Sequence, residues 1–272
     1  MSVEQVVLDK KLIFTVTAGR TGTSYLTKLL EAVPTVSAHH EPKPNYVDVL
    51  RRVQSNPYMA YDFLFKQKIP AIRECPGEVY AETSHLICKG FIEPMIRMGL
   101  RPALIILRRP PREVAWSYIL RDCVPAWSTL GIAYLLDPRD PGVMPLLRWE
   151  TASAYQLCFW YALEMERRQR HYAKLAEDLG LPVFDVTNRE LNDWLIFSEM
   201  LDTLDLPITD KIRRAHAAIS KKHHNQNPKQ MDLPIDDSLA TQEEDIWDAV
   251  SHYEPFLRDH VTHRYATLSQ AA

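Results

Sequence analysis

Cysteine is scarce in this chain of 272 residues. The four present, Cys75, Cys88, Cys123 and Cys158, lie far apart and form no CxxC pair. That spacing argues against a zinc site and against a disulfide framework, so free thiols in a reducing compartment are expected. Basic charge is not in excess either. The formal net charge is −3, whereas a dedicated nucleic-acid binder carries a strongly basic domain. No nucleic-acid partner is expected. Long apolar runs are missing too. The clearest is ALIIL at 103–107, far short of the roughly 20 residues that span a bilayer. The opening MSVEQVVLDKK has no apolar run behind a basic patch. No secretory signal is therefore expected, and the cytoplasm is the expected location.

What is present suits a folded α/β domain. Hydrophobic residues make up 46% of the chain, enough for a sizeable core. Short apolar, β-branched runs predict strands at 11–17, 35–38, 79–81, 103–107 and 182–187. Helical patterns lie between and after them, at 23–32, 46–68, 84–99, from 110 to about 122, 149–179, 188–204 and 241–263. Residues 123–148 are rich in Pro, Gly and aromatics and read as an irregular lid or substrate segment. Residues 220–230, SKKHHNQNPKQ, read as a polar loop. Strands alternating with helices imply a single domain over 1–272. A mostly parallel central sheet is flanked by helices, with helical additions at the C-terminal end. In such sheets, ligands bind beyond the carboxyl ends of the strands.

The first chemical motif lies at the end of the first strand. FTVTAGRTGTSYLTKLL, 14–30, reads as strand, tight turn, helix. A turn that feeds a helix N-terminus points unpaired backbone N–H groups and the positive end of the helix dipole at one spot, which favours an anion. Gly19 and Gly22 permit the turn. Thr21, Thr23 and Ser24 add hydroxyls, and Arg20 adds a permanent charge with several donors. The loop that grips ATP or GTP needs GxxxxGK[ST], but here Thr23 follows the glycine. No flexible ammonium can reach β- and γ-phosphates, so a loop for a single phosphate is expected.

The second motif, LIILRRPPREVAWSYI at 104–119, is again strand, turn and helix. Arg109 stands just past the strand, Pro111 two positions later and Ser117 eight later. An arginine and a hydroxyl brought together there make a second anion site. Together the two segments resemble the PAPS-dependent sulfotransferases, a family of P-loop nucleotide-binding type. GRTGTSYL resembles their 5′-phosphosulfate loop, and RPPREVAWS their 3′-phosphate motif. Arginine in the first loop is in the style of bacterial and tyrosylprotein members. The resemblance covers about residues 12–119. It implies PAPS as donor, PAP as product, no required metal, and a small-molecule, glycan or lipid-like hydroxyl acceptor.

It also implies a general base, for which three residues compete. Glu41, in SAHHEPKPNY, stands where the tyrosylprotein enzymes carry a catalytic glutamate. Glu82, in VYAETSHL, resembles the heparan-type Glu-Lys-Ser/Thr glutamate, with Thr83 in place of lysine. His85 is the third candidate, since the cytosolic members use a histidine. Lys221 and Lys222 fit a basic loop closing over the 3′-phosphate. Neighbouring histidines at 39–40 and 223–224 lack a third ligand at regular spacing, so no metal site is expected. Trp116, Trp127, Tyr134, Trp149, Trp160 and Tyr161 are either an acceptor cleft or core. Two alternatives stay open: a P-loop kinase or phosphotransferase with a degenerate loop, and a PAPS-binding homologue without catalysis.

Overall fold

The computed structural model of the chain describes residues 5–222 and 237–266. Chain order is β1 (Lys11–Thr17), α1 (Thr23–Glu31), β2 (Val36–His39), α2 (Leu50–Ser55), α3 (Tyr58–Phe63), α4 (Ile69–Glu74), β3 (Val79–Glu82), α5 (Ile92–Arg97), β4 (Ala103–Arg108), α6 (Pro111–Ile119), α7 (Thr129–Tyr134), α8 (Ala154–Asp178), β5 (Val183–Thr187), α9 (Trp194–Thr203), α10 (Asp210–Ser220), α11 (Asp237–Ser251) and α12 (Leu257–Ala266). The described residues divide into two compact units, one of residues 5–108 with 169–222, the other of residues 109–168 with 237–266.

The first unit holds a five-stranded sheet in the order β2-β3-β1-β4-β5. Every pairing is parallel. Parallel strands are buried on both faces, which is why β4 reads as an unbroken apolar run with every residue buried. One face packs Ile13, Ala81, Ile105 and Leu107 against Leu26, Leu29 and Leu30 of α1 and Phe197, Met200 and Leu201 of α9. Full burial of one such Leu, Ile or Phe side chain is worth about 1.5–3 kcal/mol. β1 lies between β3 and β4. The chain leaves it on one side toward β2 and β3, then crosses to the other side for β4 and β5. That reversal is the switch point, where the carboxyl ends of such sheets open a crevice.

Several helices differ from the sequence expectation. The stretch 46–68, expected to be mostly helical, is helical in pieces: a 3-10 turn at Tyr46–Asp48, then α2, then α3 running through a π-turn at Leu64–Lys68 into α4. The helix expected over 84–99 is only α5. Ser84 Oγ accepts from Leu86 N at 3.2 Å, and Gly90 takes φ 106, so the chain turns before any helix begins. Pro94 then falls in the first turn of α5, where its missing N–H costs nothing. The C-terminal helix expected over 241–263 is two, α11 and α12, parted around Pro255, which cannot continue a helix. α10 was not expected at all. Its start signal was present: Thr209 accepts from Ile212 N at 3.3 Å as the N-cap.

In the second unit, the first part of α8 packs against α6 and α11, and α11 against α12. The segment expected to be irregular contains α7, capped by Ser128, which accepts from Gly131 N at 3.0 Å. Trp160 and Tyr161 are fully buried. Trp160 Nε1 donates to Met144 O at 3.1 Å, and Tyr161 meets Tyr118 edge-on. Both are therefore core rather than cleft lining. Trp127 is exposed. The C-terminal helices brace α6: Arg112 forms a two-pronged pair with Glu243 of α11, which also accepts from Tyr155.

Candidate active site

The phosphate loop lies between β1 and α1, at the switch point of the sheet. Gly19, Arg20 and Gly22 all take left-handed backbone, at φ 80, 59 and 89. For arginine this conformation costs about 1–2 kcal/mol, and such strain persists only where the surroundings fix it. The Thr17 and Thr21 hydroxyls hydrogen-bond beneath the loop. Gly22 is the N-cap of α1 with no side-chain cap, so the first-turn N–H groups of Thr23 and Ser24 lack intrahelical partners. A Cβ at Gly22 would lie 3.4 Å from the Asn188 Cβ, beyond the end of β5. A tight loop of turned N–H groups at a helix N-terminus is a cradle for one anion.

A chain of hydroxyls ties this loop to the ends of β2 and β3. Thr27 Oγ1 donates its one hydrogen to Thr23 O at 2.9 Å and so accepts from Thr83 Oγ1 at 2.6 Å. Beyond Thr83, His40 Nδ1 donates to its carbonyl at 3.0 Å. The next residue is Glu41, at φ 47, another non-glycine in left-handed backbone. Asn45 Nδ2 donates to its carbonyl at 3.0 Å and holds the turn. The Glu41 side chain is 25% exposed, and its Oε1 lies 3.5 Å from His85 Nε2. Burial holds the His85 imidazole well below its ordinary value, helped by the charges of Lys89, His40 and Arg20. So Arg20, His40 and Lys89 all act on the His85 ring, and Glu41 lies against its Nε2.

Glu82 is differently placed. It is 1% exposed, so its carboxyl lies inside the protein. Lys68 Nζ lies 3.0 Å from Oε1 and 2.8 Å from Oε2, and Tyr80 OH donates to Oε2 at 2.7 Å. Burial pushes the Glu82 carboxyl up, and Lys68 pulls it back. Burial also pushes the Tyr80 phenol up, reinforced by Glu82. Lys68 donates to Pro44 O at 3.0 Å as well and sits over the Tyr46 ring. It therefore joins Glu82 to the turn that carries Glu41.

Arg109 and Ser117 lie in the second unit, Ser117 half-buried on α6. Arg109 Nε donates to Glu113 Oε2 at 2.9 Å, and the Arg109 carbonyl accepts from Tyr265 OH of α12 at 3.2 Å. The preceding arginine has a different task. Arg108 is 1% exposed, and its Nε bonds both oxygens of Asp185 at 2.8 Å, tying β4 to β5. Lys221 and Lys222 are exposed at the end of α10. The remainder of the polar loop, with His223 and His224, lies outside the described residues. His39 Nε2 is 2.8 Å from Ser37 Oγ, and its ring stacks on Tyr80 while His40 turns to Thr83. Among the described residues, no group of three His, Cys, Asp or Glu side chains is placed to hold a metal ion. No described helix is long and apolar enough to cross a membrane.

Two lysines of this region escaped the sequence reading. Lys68 and Lys89 are both buried, at 1% and 0% exposure. Their signal was a lysine inside an apolar run, in FLFKQKIP and HLICKGF. A charge there needs a partner, but the partner's identity depends on the fold.

In sequence, the chain matches no protein-family profile and no curated protein. In structure, it is similar to the sulfotransferase domain from the curacin biosynthetic pathway, with TM-score 0.50 and 12% identity, covering 91% of this chain and 99% of that one. It is also similar to mouse sulfotransferase SULT7A1 complexed with PAP, with TM-score 0.52 and 10% identity, covering 94% of this chain and 89% of that one. At these identities the likeness is one of fold. The chain has the α/β fold of the sulfotransferases.

Proposed function

We propose that this protein is a sulfotransferase that moves a sulfuryl group from PAPS to a hydroxyl of a small-molecule, glycan or lipid-like acceptor. One observation carries the reading: a loop cradling a single anion, with Arg20 in left-handed backbone, is linked through Thr27, Thr83 and His40 to the strand-end carboxylate Glu41. PAPS supplies the sulfuryl group and two separate single phosphates, which suits a loop lacking the lysine for a triphosphate tail.

Arg20 and the N–H groups of Thr21, Gly22, Thr23 and Ser24 hold the 5′-phosphate and stabilise the charge that grows on its departing oxygen. Arg109 and Ser117 hold the 3′-phosphate, and Lys221 and Lys222 belong to the segment that closes on it. Glu41 accepts the proton of the acceptor hydroxyl. Its partial exposure leaves it reachable, whereas Glu82 is enclosed by Lys68 and Tyr80. Glu82 then serves the site by anchoring Lys68 beneath the Glu41 turn.

Calorimetric titration of the purified protein with PAP, and separately with ATP plus magnesium, tests the reading. Micromolar PAP binding without magnesium, with weak ATP binding, is expected. Tight magnesium-dependent ATP binding with no response to PAP would overturn it in favour of a phosphotransferase. PAP binding with no PAPS turnover across an acceptor screen would leave a binding protein without catalysis.

A further inference from the structure

Lys89 has no part in the chemistry described so far, yet it is fully buried. It follows the turn after β3, where its N–H donates to Leu86 O at 3.0 Å and its carbonyl accepts from Gln54 Nε2 at 2.7 Å. This backbone hold aims its Nζ at His85 Nδ1, 3.1 Å away. The opposite ring nitrogen, Nε2, lies 3.5 Å from Glu41 Oε1. The three side chains form a line: ammonium, imidazole, carboxylate.

The chemistry of the groups orients that line. A lysine ammonium has three donors and no acceptor. The imidazole nitrogen facing it must therefore offer its lone pair, and Nδ1 of His85 carries no hydrogen. In the neutral ring, the hydrogen is then on Nε2, pointing at Glu41. The charged groups acting on His85 agree. Lys89, His40 and Arg20 are all basic, and all oppose a second proton on the ring; Glu41 is the acidic neighbour.

We infer that Lys89 is a positioning residue of this site: it fixes His85 as a neutral ring with its hydrogen on Nε2, the side that faces Glu41, and so bars His85 from acting as the base. The inference rests on the sulfotransferase reading for its catalytic consequence, but the arrangement itself does not. With Nδ1 taken by Lys89 and Nε2 already protonated, His85 has no site for an incoming proton. The proton of the acceptor hydroxyl goes to Glu41, whose Oε1 is steadied by His85. A histidine that looked like a rival base in the sequence thus becomes the group that orients the carboxylate.

The test is the nitrogen-15 spectrum of His85, assigned by its disappearance in His85→Gln. The wild-type protein is expected to show the Nε2–H tautomer, and to keep it as pH falls through the ordinary imidazole value of about 6.5. In Lys89→Met the tautomer lock is lost and the titration of His85 moves upward toward that value. Calorimetric PAP affinity should stay within about twofold of wild type, since Lys89 is not in the phosphate loop. If Lys89→Met does not fold, Lys89→Gln keeps an amide donor at Nδ1 and should retain the wild-type tautomer. An Nδ1–H tautomer or a charged imidazolium in the wild-type protein at neutral pH would overturn the inference. So would a Lys89→Met spectrum identical to wild type. The expected tautomer with no PAP binding would instead leave the arrangement standing and sink the sulfotransferase reading.

Discussion

Replacing Lys68 by methionine tests the buried pair that supports the Glu41 turn. Methionine has a similar length and no charge. The change leaves the Glu82 carboxylate 1% exposed, with only the Tyr80 hydroxyl still donating to it. It also removes the donor to Pro44 O. Breaking a buried ion pair by removing one partner costs about 3–5 kcal/mol, because the remaining charge is uncompensated. With a urea m-value of about 3 kcal/mol/M, that is a midpoint shift of roughly 1–1.7 M. The loss should depend on pH. Burial already raises the Glu82 carboxyl in the folded state. A raised group contributes stability that is complete below its unfolded value, about 4.3, and is lost as pH rises through the folded value. Without Lys68 the folded value climbs further, so the difference between variant and wild type is largest at neutral pH and narrows toward about pH 4. Urea unfolding followed by tryptophan fluorescence at several pH values measures this. Lys68→Met/Glu82→Gln should recover much of the loss, since no buried charge remains. A midpoint shift under about 0.3 M, or a difference that is flat with pH, would refute the view of Glu82 as a buried, Lys68-compensated carboxylate.

Glu41→Gln should leave PAP affinity unchanged and lower PAPS turnover about 10²–10⁴-fold; full activity in that variant would move the base elsewhere. Arg109→Ala should weaken PAP binding about tenfold or more in calorimetry, and unchanged affinity would remove Arg109 from the 3′-phosphate site. Gly22→Ala forces alanine to φ 89 with its Cβ 3.4 Å from Asn188 Cβ. It should lower stability by about 1–2 kcal/mol and weaken PAP binding, as read by unfolding and titration.

Much of the sheet was legible because its signals are local. β1 and β4 are continuous apolar runs, and a strand buried on both faces must be so. The phosphate loop was legible for a similar reason: Gly19 and Gly22 mark left-handed backbone, and the helix behind them follows from its own pattern. The helices failed where side chains competed with the backbone or where a proline changed its meaning. Ser84 and Gly90 turn the chain that a helix was expected to occupy, and Pro94 falls in the first turn of a helix instead of in its interior.

Glu41, Glu82 and His85 all stand just past strands in the linear chain, and Glu41 came first among them as the base. Their environments separate them, and those come from distant residues. Lys68 meets Glu82 across 14 positions only after the π-turn and the placing of β3 between β2 and β1. His85 meets Glu41 only because β2 pairs with β3. Residue order therefore specified which elements form and which chemical groups stand at their ends, since both depend on neighbours along the chain. Burial, pairing and the side of a ring that carries its proton depend on neighbours in space, and the packing of the folded sheet set them.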